Sequence, residues 1–209
     1  LKQFDAFKER EYCLALALGV VGMKIRTQRD VVNGYAKNHP DRFSCSDLEH
    51  FTAMCDVNSV VSLDSLRGKE GSASAAYFRF LGKMIPKKWV FSGRSRRPPR
   101  DPPNAVLSFG YTVVCSELWS LLDGAGFDPY FGFYHQAAYG RPALALDMLE
   151  LYRACLVDRL MLRLFNLGVL NEDDFAKAGR GGIYLSESGK KKFFTQYEKI
   201  AGHYRGDTS

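Results

Sequence analysis

His135, Asp147 and Glu150 are the residues whose types and spacing most readily do chemistry, and all three fall in one stretch, FGFYHQAAYGRPALALDMLELYRACLVDR, from Phe131 to Arg159. Asp147 and Glu150 stand three residues apart, which puts both carboxylates on one face of a helix. Leu144, Leu151, Leu156, Leu160 and Leu164 predict that this helix is largely buried. A buried carboxylate pair needs a cation or strong donors to stay ionised. His135, on the extended segment ahead of the helix, can supply a third ligand. Mixed oxygen and imidazole donors favour Mg²⁺ or Mn²⁺ over thiolate-preferring ions. Spacing alone leaves two readings open: a divalent-metal site, or a buried histidine beside an acid pair on a helix surface. The chain has neither the HExxH spacing of zinc proteases nor a GxSxG elbow.

The elements that must position these groups are helical. Gly140, Arg141 and Pro142 make a turn into the central helix, with Pro142 suited to its first turn, where a missing N–H costs nothing. Leu14, Leu18, Val21 and Ile25 predict one or two amphipathic helices over the first 37 residues. Ser46 and Glu49 form a capping-box pattern opening a helix through Phe51, Met54 and Val57. In SLDSLRGKEGSASAAYFRFLGKM, Glu70 is followed directly by the small residues 71 to 76, which let a backbone or a ligand come close. Asp101, Pro102 and Pro103 start a long core helix that Gly124 is placed to cap. Asn171 to Ala178 reads as a short helix, Gly179 to Gly182 as a hinge, Ile183 to Leu185 as extended, and Glu187 to Tyr204 as a last amphipathic helix. The expected fold is mainly α, a single multi-helix domain over residues 1–209.

Composition bounds the function. The net charge is +6, yet the segment 83–100 alone, KMIPKKWVFSGRSRRPPR, carries +7, so the rest is close to neutral. Within this Pro/Gly-containing loop, taken as 83–103, Lys87, Lys88, Arg94, Arg96, Arg97 and Arg100 are candidate DNA-binding residues. Trp89 and Phe91 lie among them, a mixture that suits phosphates and unstacked bases. Five cysteines without CxxC spacing argue against a disulfide framework or zinc ribbon and point to a reducing cytoplasm. The longest apolar run, Leu14 to Met23, is shorter than the roughly 20 residues a bilayer span needs, so no membrane association is expected.

Three motifs, GKEGSASAAYF at 68–78, RSRRPPRDPPNAVLSFGYT at 94–112 and GFYHQAAYGRPALALDMLELYR at 132–153, resemble the Cas1 family of CRISPR-associated integrases, as does VVGMKIRTQRDVV at 20–32. The resemblance implies the fold of that family's C-terminal catalytic domain, with the N-terminal β-rich domain absent from this chain. It implies metal ligands at Glu70, His135 and Glu150, with Asp147 a neighbouring catalytic acid that either holds a second ion or orients His135. It implies a prokaryotic, cytoplasmic enzyme that joins 3′-hydroxyls of captured DNA to the CRISPR repeat by transesterification. The implied partners are double-stranded and branched DNA, a second copy of the chain, the small protein Cas2, and a fused or associated nuclease or reverse transcriptase. The rival expectation is a catalytically silent, structure-selective DNA-binding module.

Overall fold

The computed structural model describes residues 2–57, 59–136, 138–179 and 181–205. The chain is mainly helical, in the order α1 (Lys2–Ala6), α2 (Arg10–Asn38), α3 (Cys45–Met54), α4 (Leu63–Met84), α5 (Pro102–Gly124), α6 (Ala143–Tyr152), α7 (Arg159–Asn166) and α8 (Glu187–Arg205). Between α7 and α8, strands β1 (Phe175–Ala178) and β2 (Gly182–Leu185) pair antiparallel, with Phe175 opposite Leu185. The contacts sort into two compact units. One takes the residues up to Tyr77 with Thr112–Ala154; the other takes Phe78–Tyr111 with the residues from Cys155 on. The boundaries fall inside α4, inside α5 and just past α6, where no linker composition marks them.

The first unit is built on α2. Its buried face runs through Cys13, Ala17, Val20, Val21 and Ile25 and packs with Leu66, Ala73, Phe133 and Leu144. The same face continues into Lys24 and Gln28, which are only 5% and 2% exposed. Three, four and seven residues separate neighbours on a helix face, so polar groups occupy positions that an apolar stripe would take. The cap of α3 is Ser44 rather than Ser46: its hydroxyl accepts the Asp47 N–H at 3.1 Å, and the helix stops at Met54, short of Val57. At the end of α5 the left-handed residue is Gly126 (φ +82°), not Gly124. Gly126 N donates to Asp123 O and Phe127 N to Leu122 O, both at 2.9 Å, so the orphan carbonyls are met by a Schellman turn.

The second unit packs Trp89 edge-on against Phe165 (4.9 Å between centroids) and stacks Phe193 with Tyr197 (5.8 Å). Asp101 opens α5, its carboxylate accepting both the backbone and the side-chain N–H of Asn104 at 2.8 Å. By length and composition α5 is the one helix among the described residues that could cross a membrane; here Val106 and Leu107 at its start are fully buried in the protein. Between α6 and α7, residues Arg153–Asp158 form a wide π turn. It matches the five-residue step between Leu151 and Leu156, where a 3.6-residue period calls for three or four. The fully buried Asp158 ends that turn and accepts the Tyr111 hydroxyl at 2.5 Å.

The helix expected over Asn171–Ala178 is instead a 3-10 turn, Glu172–Asp174, followed by β1. Asn171 and Asp174 cap that turn, and Phe175 then packs against Trp89 (5.7 Å), so pairing and burial override local helix preference. The expected hinge is the tight link of this hairpin, with Gly179 at φ +58° and Gly181 at +77°; Arg180 lies outside the described residues.

The two α5 glycines give a direct check. Gly126→Ala is expected to cost about 1–2 kcal/mol because its Cβ is strained at positive φ. Gly124→Ala, helical with open space where a Cβ would go, should be neutral or stabilising by up to about 1 kcal/mol. Denaturant midpoints at constant m-value read both.

Candidate active site

Asp147, fully buried on α6, organises the site. Its Oδ2 accepts the N–H groups of Phe133 (2.8 Å) and Tyr134 (3.0 Å), and its Oδ1 accepts the N–H of His135 (2.8 Å). Oδ1 also lies 2.7 Å from His135 Nδ1. An ionised carboxylate only accepts, so Nδ1 donates to Asp147 and the ring presents Nε2 on its other side. That nitrogen lies 3.8 Å from Glu150 Oε1. Asp147 thus fixes the orientation of the His135 ring. Gly132 permits the approach: a Cβ there would meet Asp147 Oδ2 at 2.6 Å and the Ala143 carbonyl carbon at 2.8 Å.

Glu70 on α4 and Glu150 on α6 meet at one cation. The Lys24 ammonium donates to Glu70 Oε1 and lies 2.7 Å from Glu150 Oε2. Arg153 Nε stands 3.0 Å from that same Oε2, and Ser74 Oγ donates to Glu70 Oε1 at 2.9 Å. Burial on its own would raise the Glu150 pKa, but Lys24 first, then Arg153 and His135, outweigh it and hold the carboxyl at about 2. Glu150 is therefore ionised at any physiological pH. The side chains of Glu70 and His135 stay 22% and 18% exposed, leaving the cluster open to solvent on their side.

The donor set suits a hard divalent ion. Two carboxylates and an imidazole are donor types such an ion takes: Glu150 is linked to Glu70 through Lys24 and lies 3.8 Å from His135 Nε2. As the side chains stand, no three His, Cys, Asp or Glu groups among the described residues close on a single point. Lys24 takes the place between the glutamates. Lys24, Arg153 and Gly132 were not singled out from the sequence. For Lys24 a signal existed, a lysine continuing the buried stripe of α2; nothing local marks Arg153 or Gly132.

Of the candidate DNA contacts, all in the second unit, Lys87, Lys88, Arg96, Arg97 and Arg100 are exposed. Arg94 turns inward. It donates to Asn104 Oδ1 (2.9 Å) and Ser108 Oγ (3.0 Å) and lies over the Tyr111 ring. Buried Asn104 also holds Ser95 N and Gly93 O at 2.9 and 2.8 Å, so Arg94 and Asn104 together fasten the loop to α5. Trp89, expected to stack on bases, is only 8% exposed and belongs to the core.

A helical fold that gathers buried carboxylates, an oriented imidazole and a lysine defines an acid-rich site of the kind nucleases and phosphoryl-transfer enzymes use. The sequence model of the family described as "CRISPR associated protein Cas1" matches residues 1–199. The chain belongs to the Cas1 family. It is 46% identical over 140 residues to the CRISPR-associated endonuclease Cas1 1 of Thermodesulfovibrio yellowstonii, covering 66% of this chain and 44% of that protein. It is 38% identical over 196 residues to the CRISPR-associated endonuclease Cas1 3 of Thermus thermophilus, covering 94% and 57%. A solved partial Cas6-RT-Cas1–Cas2 complex superposes with a TM-score of 0.88 at 31% identity, over 99% of this chain and 63% of that one. The chain thus spans about half the length of the curated relatives it matches.

Gly132→Ala is expected to push the 131–135 segment off α6, destabilising the protein by about 1–3 kcal/mol. It should also shift the His135 ring resonances in a ¹H–¹⁵N spectrum, because the Nδ1 hydrogen bond lengthens. Gly71→Ala, with nothing within 4 Å, serves as the silent control.

Proposed function

We propose that this chain carries the catalytic site of a divalent-metal-dependent DNA integrase and endonuclease of CRISPR adaptation. Glu70, His135 and Glu150 would hold one Mg²⁺ or Mn²⁺, which when bound stabilises negative charge developing on a phosphodiester and lowers the pKa of an attacking hydroxyl. The chain's own groups serve that role without a covalent enzyme intermediate. Asp147 presents His135 Nε2, Glu150 is kept ionised, and Ser74 fixes one oxygen of Glu70. The 3′-hydroxyl of a captured DNA fragment attacks the repeat, one P–O bond forming as another breaks. The same reaction run with water nicks DNA, and run in reverse resolves branched DNA. The observation that carries this reading is that Lys24 joins Glu70 to Glu150 while His135 Nε2 lies 3.8 Å from Glu150 Oε1, inside the region the family model matches.

The exposed Lys87, Lys88, Arg96, Arg97 and Arg100 would neutralise phosphates of double-stranded and branched DNA, prespacer and CRISPR repeat alike. Cas2 is the proposed protein partner, supported by the related complex that contains it, and a fused or associated nuclease or reverse transcriptase fits the same setting. A second copy of the chain and a prokaryotic cytoplasmic location complete the proposal. One observation favours the rival, a catalytically silent DNA-binding module: Lys24 occupies the space between the two glutamates.

Strand transfer separates the two. A short duplex with a 3′-hydroxyl is incubated with supercoiled plasmid, Cas2 and Mn²⁺, Mg²⁺ or EDTA. Joining should require the metal and disappear in Glu70→Ala, His135→Ala and Glu150→Ala, while DNA affinity persists. If all three variants still join DNA, the metal mechanism is wrong. In the loop, Arg96→Ala with Arg97→Ala should reduce the salt slope of DNA binding by about 2. Arg94→Ala should instead lower the unfolding midpoint, since its partners are internal.

A further inference from the structure

Lys24 is the least expected charge in the molecule. It sits on the buried face of α2, 5% exposed, between two acids that come from different helices. An ammonium removed from water is stable only with close counter-charges, and here both are carboxylates assigned above to a divalent ion. A divalent ion added with Lys24 in place would put two cations in competition for the same oxygens of Glu70 and Glu150, and Lys24 can withdraw on its flexible four-carbon stem. Arg153 stands on the Glu150 side, 3.0 Å from its Oε2.

We propose that Lys24 is the site's built-in counter-cation: its ammonium holds Glu70 and Glu150 together when no divalent ion is bound, and it gives up those oxygens when one binds. The proposal rests on the assignment of Glu70, His135 and Glu150 as ligands. It makes Lys24 a positioning residue that links the stability of the metal-free protein to metal affinity. Without Lys24 the carboxylates of Glu70 and Glu150 lose the cation they share, and only Arg153, on the Glu150 side, offsets them, so the metal-free protein loses stability and any divalent ion gains affinity.

The test compares wild type with Lys24→Met, a neutral, unbranched chain of similar length, by calorimetric titration with Mn²⁺ and by thermal unfolding in EDTA and in Mn²⁺. Lys24→Met should unfold at lower temperature in EDTA, bind Mn²⁺ at least about tenfold more tightly, and show a larger Mn²⁺-induced rise in midpoint. Equal or weaker Mn²⁺ binding in a folded Lys24→Met overturns the proposal. The ligand assignment survives that outcome if wild type binds Mn²⁺ saturably and His135→Ala does not. No saturable binding in either protein overturns the assignment and the proposal with it. Should Lys24→Met fail to fold, amine acetylation of wild-type Lys24, read by mass spectrometry, decides. Labelling should rise severalfold on saturation with Mn²⁺, and unchanged labelling overturns the proposal.

Discussion

The carboxylate of Asp147 does for the segment 133–135 what a neighbouring strand does for a strand. Three consecutive backbone N–H groups, two of them on buried residues, end on its two oxygens, and no sheet among the described residues lies alongside to take them. A buried amide left unpaired costs about 1–3 kcal/mol, so this side chain decides whether the segment can lie against α6 at all. Gly132 removes the steric obstacle, and the rigid first turns of α6 supply the base. Once the segment is fixed, the imidazole of His135 has one orientation, and Glu150, three residues along the same face, has a defined neighbour.

Charge in this protein is handled in two opposite ways. In the first unit, acids and cations are buried together, and each is tolerated because the others are within about 3 Å, where Coulomb energy in a poorly solvated setting is large. In the second unit, cations on the 83–103 loop remain in water and cost nothing to keep, while Arg94 alone turns inward and becomes part of the scaffold. The buried cluster suits a fixed ligand geometry with few variants tolerated. The solvated loop suits a long polyanion whose phosphates need no single register.

Much of the helical plan was legible because periodicity and breakers are local signals. The Asp101-Pro102-Pro103 start of α5 and the last helix lie where the residues put them. The misreadings share one cause, a local pattern with more than one solution. Ser44 and Ser46 are equally good caps until the helix start is known, and Gly124 and Gly126 equally good terminators until the φ angles are. Residues 175–178 have no strong period of their own and become a strand because β2 and Trp89 are there to receive them. Trp89 in a run of cations looks like a base-stacking group, yet an aromatic of that size goes to the core wherever one is within reach.

For the site, the sequence by itself put Asp147 and Glu150 on one helix face by their spacing, and it singled out His135 and Glu70 by type and by the family motifs around them. It also determined that a cation or strong donors had to accompany a buried acid pair. Which cation that is, only the tertiary structure decided. Lys24, Glu70 and Glu150 are far apart in the chain and lie on three helices, so no spacing rule relates them. The partners of Asp147 were decided in the same way. A carboxylate can bind an ion or accept backbone amides, and the choice depends on which groups the fold presents to its oxygens.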